Sequence, residues 1–335
     1  MGFEALEGAV SSESGRAIAL LTAAALLDFV VGDPWSWPHP VQFMGKAIAL
    51  YSKVALDKVR SPQSLKLLGI ILMVLLVGGV GLLSWLGLQA LRQTVPLLAW
   101  IAEVVLLASC FAGRSLRRAA EDVLQPLDEI VDTGLLAARE RLSMYVGRDT
   151  DGLSAQEIRR AVLETVSENA IDGVLAPLFY AILGAPWGLA APLALAYKAA
   201  STLDSMVGYK EPPYTDLGWF SARFEDALTW APCRISVLAI ALLSGRARHV
   251  LQLCRRDAPA DPSPNAGWSE CAYAAALGVR LGGANRYSGK LKVKPFLGDD
   301  KQPISNEVIV KAYSLTRSSF LLGLGIGLSW IGWLG

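Results

Sequence analysis

Long apolar runs separated by short charged turns set the pattern of this chain. Leu67 to Leu91 is 25 residues without a charge, enough helix to cross a bilayer. After the Arg92-Gln93-Thr94 turn, Val95 to Gly113 forms a second run with one carboxylate, Glu103, which at mid-span is expected to face the bundle interior. Gly78, Gly79 and Gly81 would permit close helix contact in the first of these runs. Further spans are expected over about 16–32, with Asp28 near its end, and over 318–335. Between Leu116 and Tyr145 the pattern changes. Leu116, Ala120, Val123, Leu127, Val131, Leu135, Ala138 and Leu142 fall between charges at the spacing of an amphipathic helix pair, broken near Gly134.

Two apolar segments are irregular. Val174 to Tyr197 is 24 uncharged residues interrupted by Pro177, Gly184, Pro186, Gly188 and Pro192, which predicts a broken or re-entrant helix. Such backbone is tolerated at membrane depth only where protein or a watered cavity satisfies it. Segment 227–245, with Pro232 and Arg234, is a further apolar run at membrane depth, either re-entrant or a full span. Just before the first of these, Ser154 and Glu157 make a capping box. Helical spacing from that start puts Glu157, Glu164, Glu168 and Asp172 on one side. Alone, an acidic stripe is a solvated helix face, but this one leads directly into the membrane. Polar groups gathered there point to a site.

Composition agrees with the pattern: 53% hydrophobic and 18% charged residues, with a mean hydropathy of +0.39, describe a multi-pass membrane protein. The fold class is therefore all-α, a polytopic helical bundle with broken or re-entrant helices and cytoplasmic helical loops, organised as one membrane-embedded domain over 1–335. A net charge of +1 and the lack of a basic stripe argue against nucleic acid. Two histidines and four cysteines without a CxxC pair suggest neither a zinc site nor a disulfide frame. The N-terminus, with Glu4, Glu7 and Glu13 before Arg16, does not read as a signal peptide. Lys46, Lys53, Lys58, Arg60 and Lys66 against Asp57 assign residues 46–66 to the cytoplasm, and both termini to the outside. Segments 114–173 and 246–317 are assigned to the cytoplasm as well, the second carrying twelve Lys and Arg against six Asp and Glu around Arg246 to Arg317.

Smaller motifs complete the inventory. GDPWSWPHP, Gly32 to Pro40, reads as an interfacial turn containing His39. DPSPNAGW, Asp261 to Trp268, is a proline-stiffened turn whose Asn265 and Gly267 suit a helix start. LGGANRYSG, Leu281 to Gly289, holds Gly282, Gly283 and Tyr287 and is glycine-rich, so it is either a turn or a loop that offers N–H groups to phosphate. Neither matches a nucleotide-binding fingerprint.

Taken together, DFVVGDPWSWPHPVQFMGK (Asp28 to Lys46), ETVSENAIDGVLAPLFY (Glu164 to Tyr180), YKAASTLDSMVGY (Tyr197 to Tyr209), GWFSARFEDALTWAPCR (Gly218 to Arg234), SPNAGW and LGGANRYSG resemble the adenosylcobinamide-phosphate synthases, the CbiB or CobD family of cobalamin biosynthesis, over nearly the whole chain. Against that family's pattern the chain differs at Lys198, Ser201, Glu225 and Cys233. The resemblance implies an inner-membrane enzyme with a cytoplasmic active site. It would join adenosylcobyric acid to an aminopropanol or ethanolamine phosphate in an ATP-dependent amide synthesis, with no bound prosthetic group. Glu164, Glu168, Asp172 and Asp204 are then candidate magnesium ligands, and Asp226 a further carboxylate for catalysis. Lys198, Arg223, Arg234 and Arg280, with Asn169, Asn265, Gly282, Gly283 and Tyr287, are candidates for substrate and phosphate. His39 or an acidic residue would take the amine proton. A secondary transporter with broken helices is the competing class, although the two halves show no inverted repeat.

Overall fold

A computed structural model describes residues 13–33, 38–128 and 133–335 of the chain. The acidic N-terminus at 1–12, the Pro-Trp stretch 34–37 of the expected interfacial turn and the junction 129–132 of the expected amphipathic pair lie outside the described residues. The protein is 76% helical, as an all-α membrane bundle requires. Among the described residues, Pro62–Thr94, Ala155–Trp187 and Trp219–Leu243 are long and apolar enough to cross a membrane, and the bent pair Pro96–Ala108 and Gly113–Leu127 makes a fourth if counted as one span. The helices that hold the expected spans 16–32 and 318–335 are not among them. The chain divides into two compact units, residues 1–112, 172–229 and 323–335 in the first and 113–171 and 230–322 in the second.

The first unit contains α1 (Glu13–Val30), α2 (Pro40–Lys58), α3 (Pro62–Met73), α4 (Gly79–Thr94) and α5 (Pro96–Ala108). A π-helical turn, Val74–Gly78, joins α3 to α4. Lipid tails are as apolar as leucine, so spans associate through close packing rather than through exclusion from water. That packing falls elsewhere than expected. A Cβ at Gly78 or Gly79 would meet nothing, and one at Gly81 only an ordinary contact with Ala196, whereas one at Gly69 would collide with the carbonyl oxygen of Leu217. Ile48, Leu72, Met73, Ala200, Leu203 and Val207 form the core beside this contact. Leu75, Leu82 and Leu83 are left exposed, as lipid-facing positions are. Glu103 faces inward as expected, 1% exposed, with both oxygens 2.8 Å from Arg92 Nη2.

The irregular segments show how prolines are accommodated. A second π turn, Ile171–Leu175, precedes α9 (Ala176–Gly184), then a 3-10 turn, Ala185–Trp187, and Gly188 in the left-handed region at φ 66° end that run before α10 (Ala190–Val207). The α9 and α10 helices pack on each other, so 174–197 is the broken element anticipated. Pro177 has no N–H to give the Gly173 carbonyl, which accepts instead from Ala112 N at 2.9 Å. Of the two alternatives for segment 227–245, the structure has the continuous helix. The segment belongs to one 25-residue helix, α11 (Trp219–Leu243), that runs through Pro232 and is not re-entrant. The carbonyl that Pro232 would leave without a donor, Leu228 O, accepts from Tyr180 Oη at 2.9 Å.

The second unit contains α6 (Gly113–Leu124), α7 (Thr133–Ser143), α8 (Ala155–Ala170), α12 (Ala247–Asp257) and α13 (Ala266–Leu277), with the start of α14 (Asn306–Leu334). The capping box opens α8, with Ser154 and Glu157 bonded reciprocally. One part of this unit is not helical. The glycine-rich stretch is the first strand of a hairpin, β1 (Leu281–Tyr287) paired antiparallel with β2 (Lys290–Leu297). Ser288 and Gly289 both have positive φ, 50° and 77°, as a tight two-residue turn with the right-handed strand twist requires. Their N–H groups donate to the two Asp149 oxygens at 2.9 and 2.7 Å, which ties the turn to the loop before α8.

Candidate functional site

The hairpin builds a polar cluster inside the second unit. Glu164 of α8 is 2% exposed, and both its oxygens are engaged. Arg148 Nη2 donates to Oε2 at 2.6 Å, while Oε1 accepts from Arg160 Nη1 at 3.2 Å and from Gly282 N at 3.0 Å. Asn285 Oδ1 accepts from both guanidinia, Arg148 at 2.9 Å and Arg160 at 3.0 Å, and Arg160 also donates to the Gly282 and Ala284 carbonyls. Gly282 and Gly283 thus do present backbone to an anion, but that anion is the protein's own carboxylate.

A second buried acid lies alongside. Glu270 of α13 is 0% exposed, and its Oε1 accepts from Lys294 Nζ of β2 at 3.2 Å. Gly283 stands opposite Lys294 in the ladder and Asn285 opposite Lys292, so Asn285 and Lys294 share one face of the hairpin. Among the described residues, Glu270 Oε2 and Asn285 Nδ2 meet no hydrogen-bonding partner. Burial pushes the Glu270 carboxyl up to about 8, against the pull of Lys294 and with the nearby Glu168 and Glu164 adding to the rise. Lys294 is held charged above its ordinary range, because these carboxylates outweigh its own burial. The folded protein therefore keeps a proton on Glu270 that the unfolded chain releases near the ordinary carboxyl value of 4.5. Stability should fall as pH rises from there to about 8, and Glu270→Gln should flatten that slope, which melting curves across this range would show.

The other expected site residues are placed as follows. Glu168 and Asn169 are exposed on α8, the Asn169 amide donating back to Thr165 O at 2.9 Å. Asn265 caps α13 and, with Pro264 O, receives Arg234, whose guanidinium lies 4.5 Å from the Trp268 ring and 5.4 Å from Trp230. Arg280 is committed at the surface to Asp300, at 2.9 Å, and to the Phe296 ring, and Tyr287 lies under Lys292. In the first unit, Lys198 stands within electrostatic reach of Asp28, Asp33, Asp172 and Cys110. Tyr197 bonds to Thr229 at 2.8 Å, and Thr229 to Glu225, whose surroundings include Asp204 and Asp226. Arg223 lies over Trp219. His39 is the N-cap of α2, its Nδ1 accepting from Val41 N at 3.2 Å and its Nε2 3.4 Å from Asp33.

Among the described residues no three His, Cys, Asp or Glu gather as a metal site, and Glu164, the first of the expected ligands, is neutralised by guanidinia instead. Equal helical spacing does not give equal surroundings: Glu164 is buried, Glu168 is exposed, and Asp172 falls in the π turn. Sequence reasoning missed Arg148, Arg160, Glu270, Asn285 and Lys294. Only Arg160 carried a local signal, four residues before Glu164 on the same helix face.

A polytopic helical membrane protein, with a compact unit that buries a cluster of carboxylates and cations under a hairpin, is the class these features define. Residues 21–316 match the family model described as CobD/Cbib protein. The chain belongs to this CobD/CbiB family, whose members are cobalamin biosynthesis enzymes. It is 50% identical to the cobalamin biosynthesis protein CobD of Synechocystis sp., over 93% of this chain and 91% of that one. It is 41% identical to the CbiB protein of Salmonella arizonae, over 93% and 96% of the two chains, and 42% identical to the CobD protein of Yersinia enterocolitica, over 90% and 93%. No solved structure matches.

Proposed function

We propose that this chain makes an amide by ATP-dependent ligation, joining adenosylcobyric acid through its remaining propionate to an aminopropanol phosphate or ethanolamine phosphate, with adenosylcobinamide phosphate or its analogue as product. The observation that carries this reading is the cluster of Arg148, Arg160 and Lys294 around two buried carboxylates, in a chain that aligns along most of its length with cobalamin biosynthesis proteins. A carboxylate is a poor electrophile. ATP would transfer its terminal phosphoryl group to the propionate, giving an acyl phosphate and ADP. The amine then attacks the acyl carbon, the C–N bond forms, and phosphate leaves. Cations suit each phosphorylated species; Arg148 and Arg160, committed to Glu164, hold the cluster together, and the phosphate-binding cations are other residues.

MgATP is a substrate in this scheme. Magnesium bound to nucleotide phosphates keeps several waters and takes one or two protein carboxylates, so it needs no cage built by protein alone. Exposed Glu168 is one such carboxylate in the second unit; within the first unit, Asp172, Asp204 and Asp226, with Lys198 and Arg223 for phosphate, are the proposed alternative set. In this reading the chemistry lies on the cytoplasmic side of the inner membrane, where ATP is available, and the basic loops support that side. Purified protein in detergent should release ADP only when the corrinoid acid and the aminoalcohol phosphate are both present, and the corrinoid should gain the mass of the amine component less water. ADP release that ignores either substrate, or an unchanged corrinoid mass, would overturn the reading.

A further inference from the structure

Amide formation from an aminoalcohol has a requirement that the cation cluster does not meet: the nitrogen arrives as an ammonium ion, and it cannot attack until a proton is removed. We propose that Glu270, held by Lys294, is the catalytic base that takes this proton, and that the amino end of the substrate binds against Glu270 Oε2 and Asn285. This inference rests on the amide-forming reaction proposed above.

The geometry selects Glu270 over the other carboxylates. Both Glu164 oxygens are already filled, by Arg148, Arg160 and Gly282 N. Glu168 is exposed, where water competes for its oxygens. His39 spends its Nδ1 on a helix cap. Among the described carboxylates of this unit, Glu270 combines complete burial with an oxygen that meets no partner, and the same hairpin face brings an Asn285 Nδ2 that also meets none. An orphaned buried polar atom costs on the order of 1–3 kcal/mol, more when charged, so two in one cluster indicate a ligand that satisfies them. An ammonium beside a hydrogen-bond acceptor is such a ligand, its N–H donating to Oε2 and the neighbouring oxygen accepting from the Asn285 amide. Lys294 is 25% exposed where Glu270 is not, which makes the lysine side the approach.

The groups that face Glu270 set its proton affinity. Lys294 comes from β2, and Glu164 and Glu168 come from α8, the former neutralised by Arg148 and Arg160. Asp261 acts on Lys294, and on α12 Cys254 is directed to Cys271 rather than to the acid. With a carboxyl near 8, the resting site carries a proton that an arriving ammonium displaces to solvent. One ammonium proton then passes to the Glu270 carboxylate, the neutral amine forms the C–N bond, the C–O bond to phosphate breaks, and the departing phosphate takes the second proton.

The test compares wild type with Glu270→Gln and Glu270→Asp, reading corrinoid turnover, its pH profile and the melting temperature. Glu270→Gln should lose about 10²–10⁴-fold in turnover while still folding. The acidic limb of the wild-type profile, near pH 8, should disappear from it. Hydroxylamine, whose nitrogen is already unprotonated at neutral pH, should be consumed by Glu270→Gln and wild type at rates within a few fold. Should Glu270→Gln not fold, Glu270→Asp decides, with partial turnover and a displaced acidic limb expected. A variant as impaired with hydroxylamine as with the natural amine, or one with an unchanged pH profile, would mean a structural ion pair and would overturn the role of Glu270 alone. No coupled ADP release by wild type would overturn the reaction, and this role with it.

Discussion

Glu164→Gln should destabilise the protein by about 3–5 kcal/mol, the usual cost of removing one partner from a buried ion pair. The change keeps the shape of the side chain and removes the charge that holds two guanidinia with side-chain exposures of 7% and 15%. Arg148 and Arg160 would retain Asn285 and backbone carbonyls, but no anion. A compensating change separates this account from a general loss of packing. Glu164→Leu combined with Arg148→Met removes charge from both sides and should recover part of the loss, because buried pairs exchanged for apolar residues of similar size are often neutral. Denaturant titrations in one detergent would measure both. A solvated stripe would instead tolerate Glu164→Gln within about 0.5 kcal/mol, and that result would remove the cluster from the centre of the site.

The same residue shows how far the sequence reaches. Periodicity placed Glu164 on a helix side shared with Glu168 and Asp172, and the helix is there with its capping box. Spacing along one helix says nothing of what packs on it, and the partners of Glu164 come from residues 16 and 118 positions away. The choice between a re-entrant segment and a full span around Pro232 stayed open in the sequence for a similar reason. A proline reports the donor it lacks, whereas Tyr180, 48 residues from Leu228, supplies the replacement. The inward facing of Glu103 was legible because a charge at mid-span has only one tolerable place to go, whereas its pairing with Arg92 was not. The hairpin was legible in part. Lys290, Lys292 and Lys294 alternate with Leu291 and Val293 at period two beyond Ser288-Gly289, a strand signal overlooked because the glycines of the preceding stretch read as a loop.

Those glycines carry the second large effect: Gly282→Ala should cost several kcal/mol and remove most turnover. Gly282 sits at φ 87° in the irregular ladder between Leu281 and Gly283, a conformation that strains any L side chain by about 1–3 kcal/mol. Space is shorter still. A Cβ there would fall well inside contact with Pro295 O and 3.2 Å from the Phe296 Cα, both backbone atoms that cannot swing aside as a side-chain tip could. The strands must part at the place where Gly282 N reaches Glu164 and where Lys294, one residue along the opposing strand from Pro295, reaches Glu270. The ion-pair cluster and the acid should therefore be disturbed together. Gly289, at φ 77° in the turn of the same hairpin, is the control, since a Cβ there meets nothing within 4 Å. Gly289→Asn, which places a residue tolerant of the left-handed region in open space, should change stability by a few tenths of a kcal/mol and leave turnover near wild type. Melting temperature and coupled ADP release for the two variants decide the matter. Equal tolerance at both glycines would mean that the strands do not close on Gly282, and that the hairpin does not position Glu164 and Lys294.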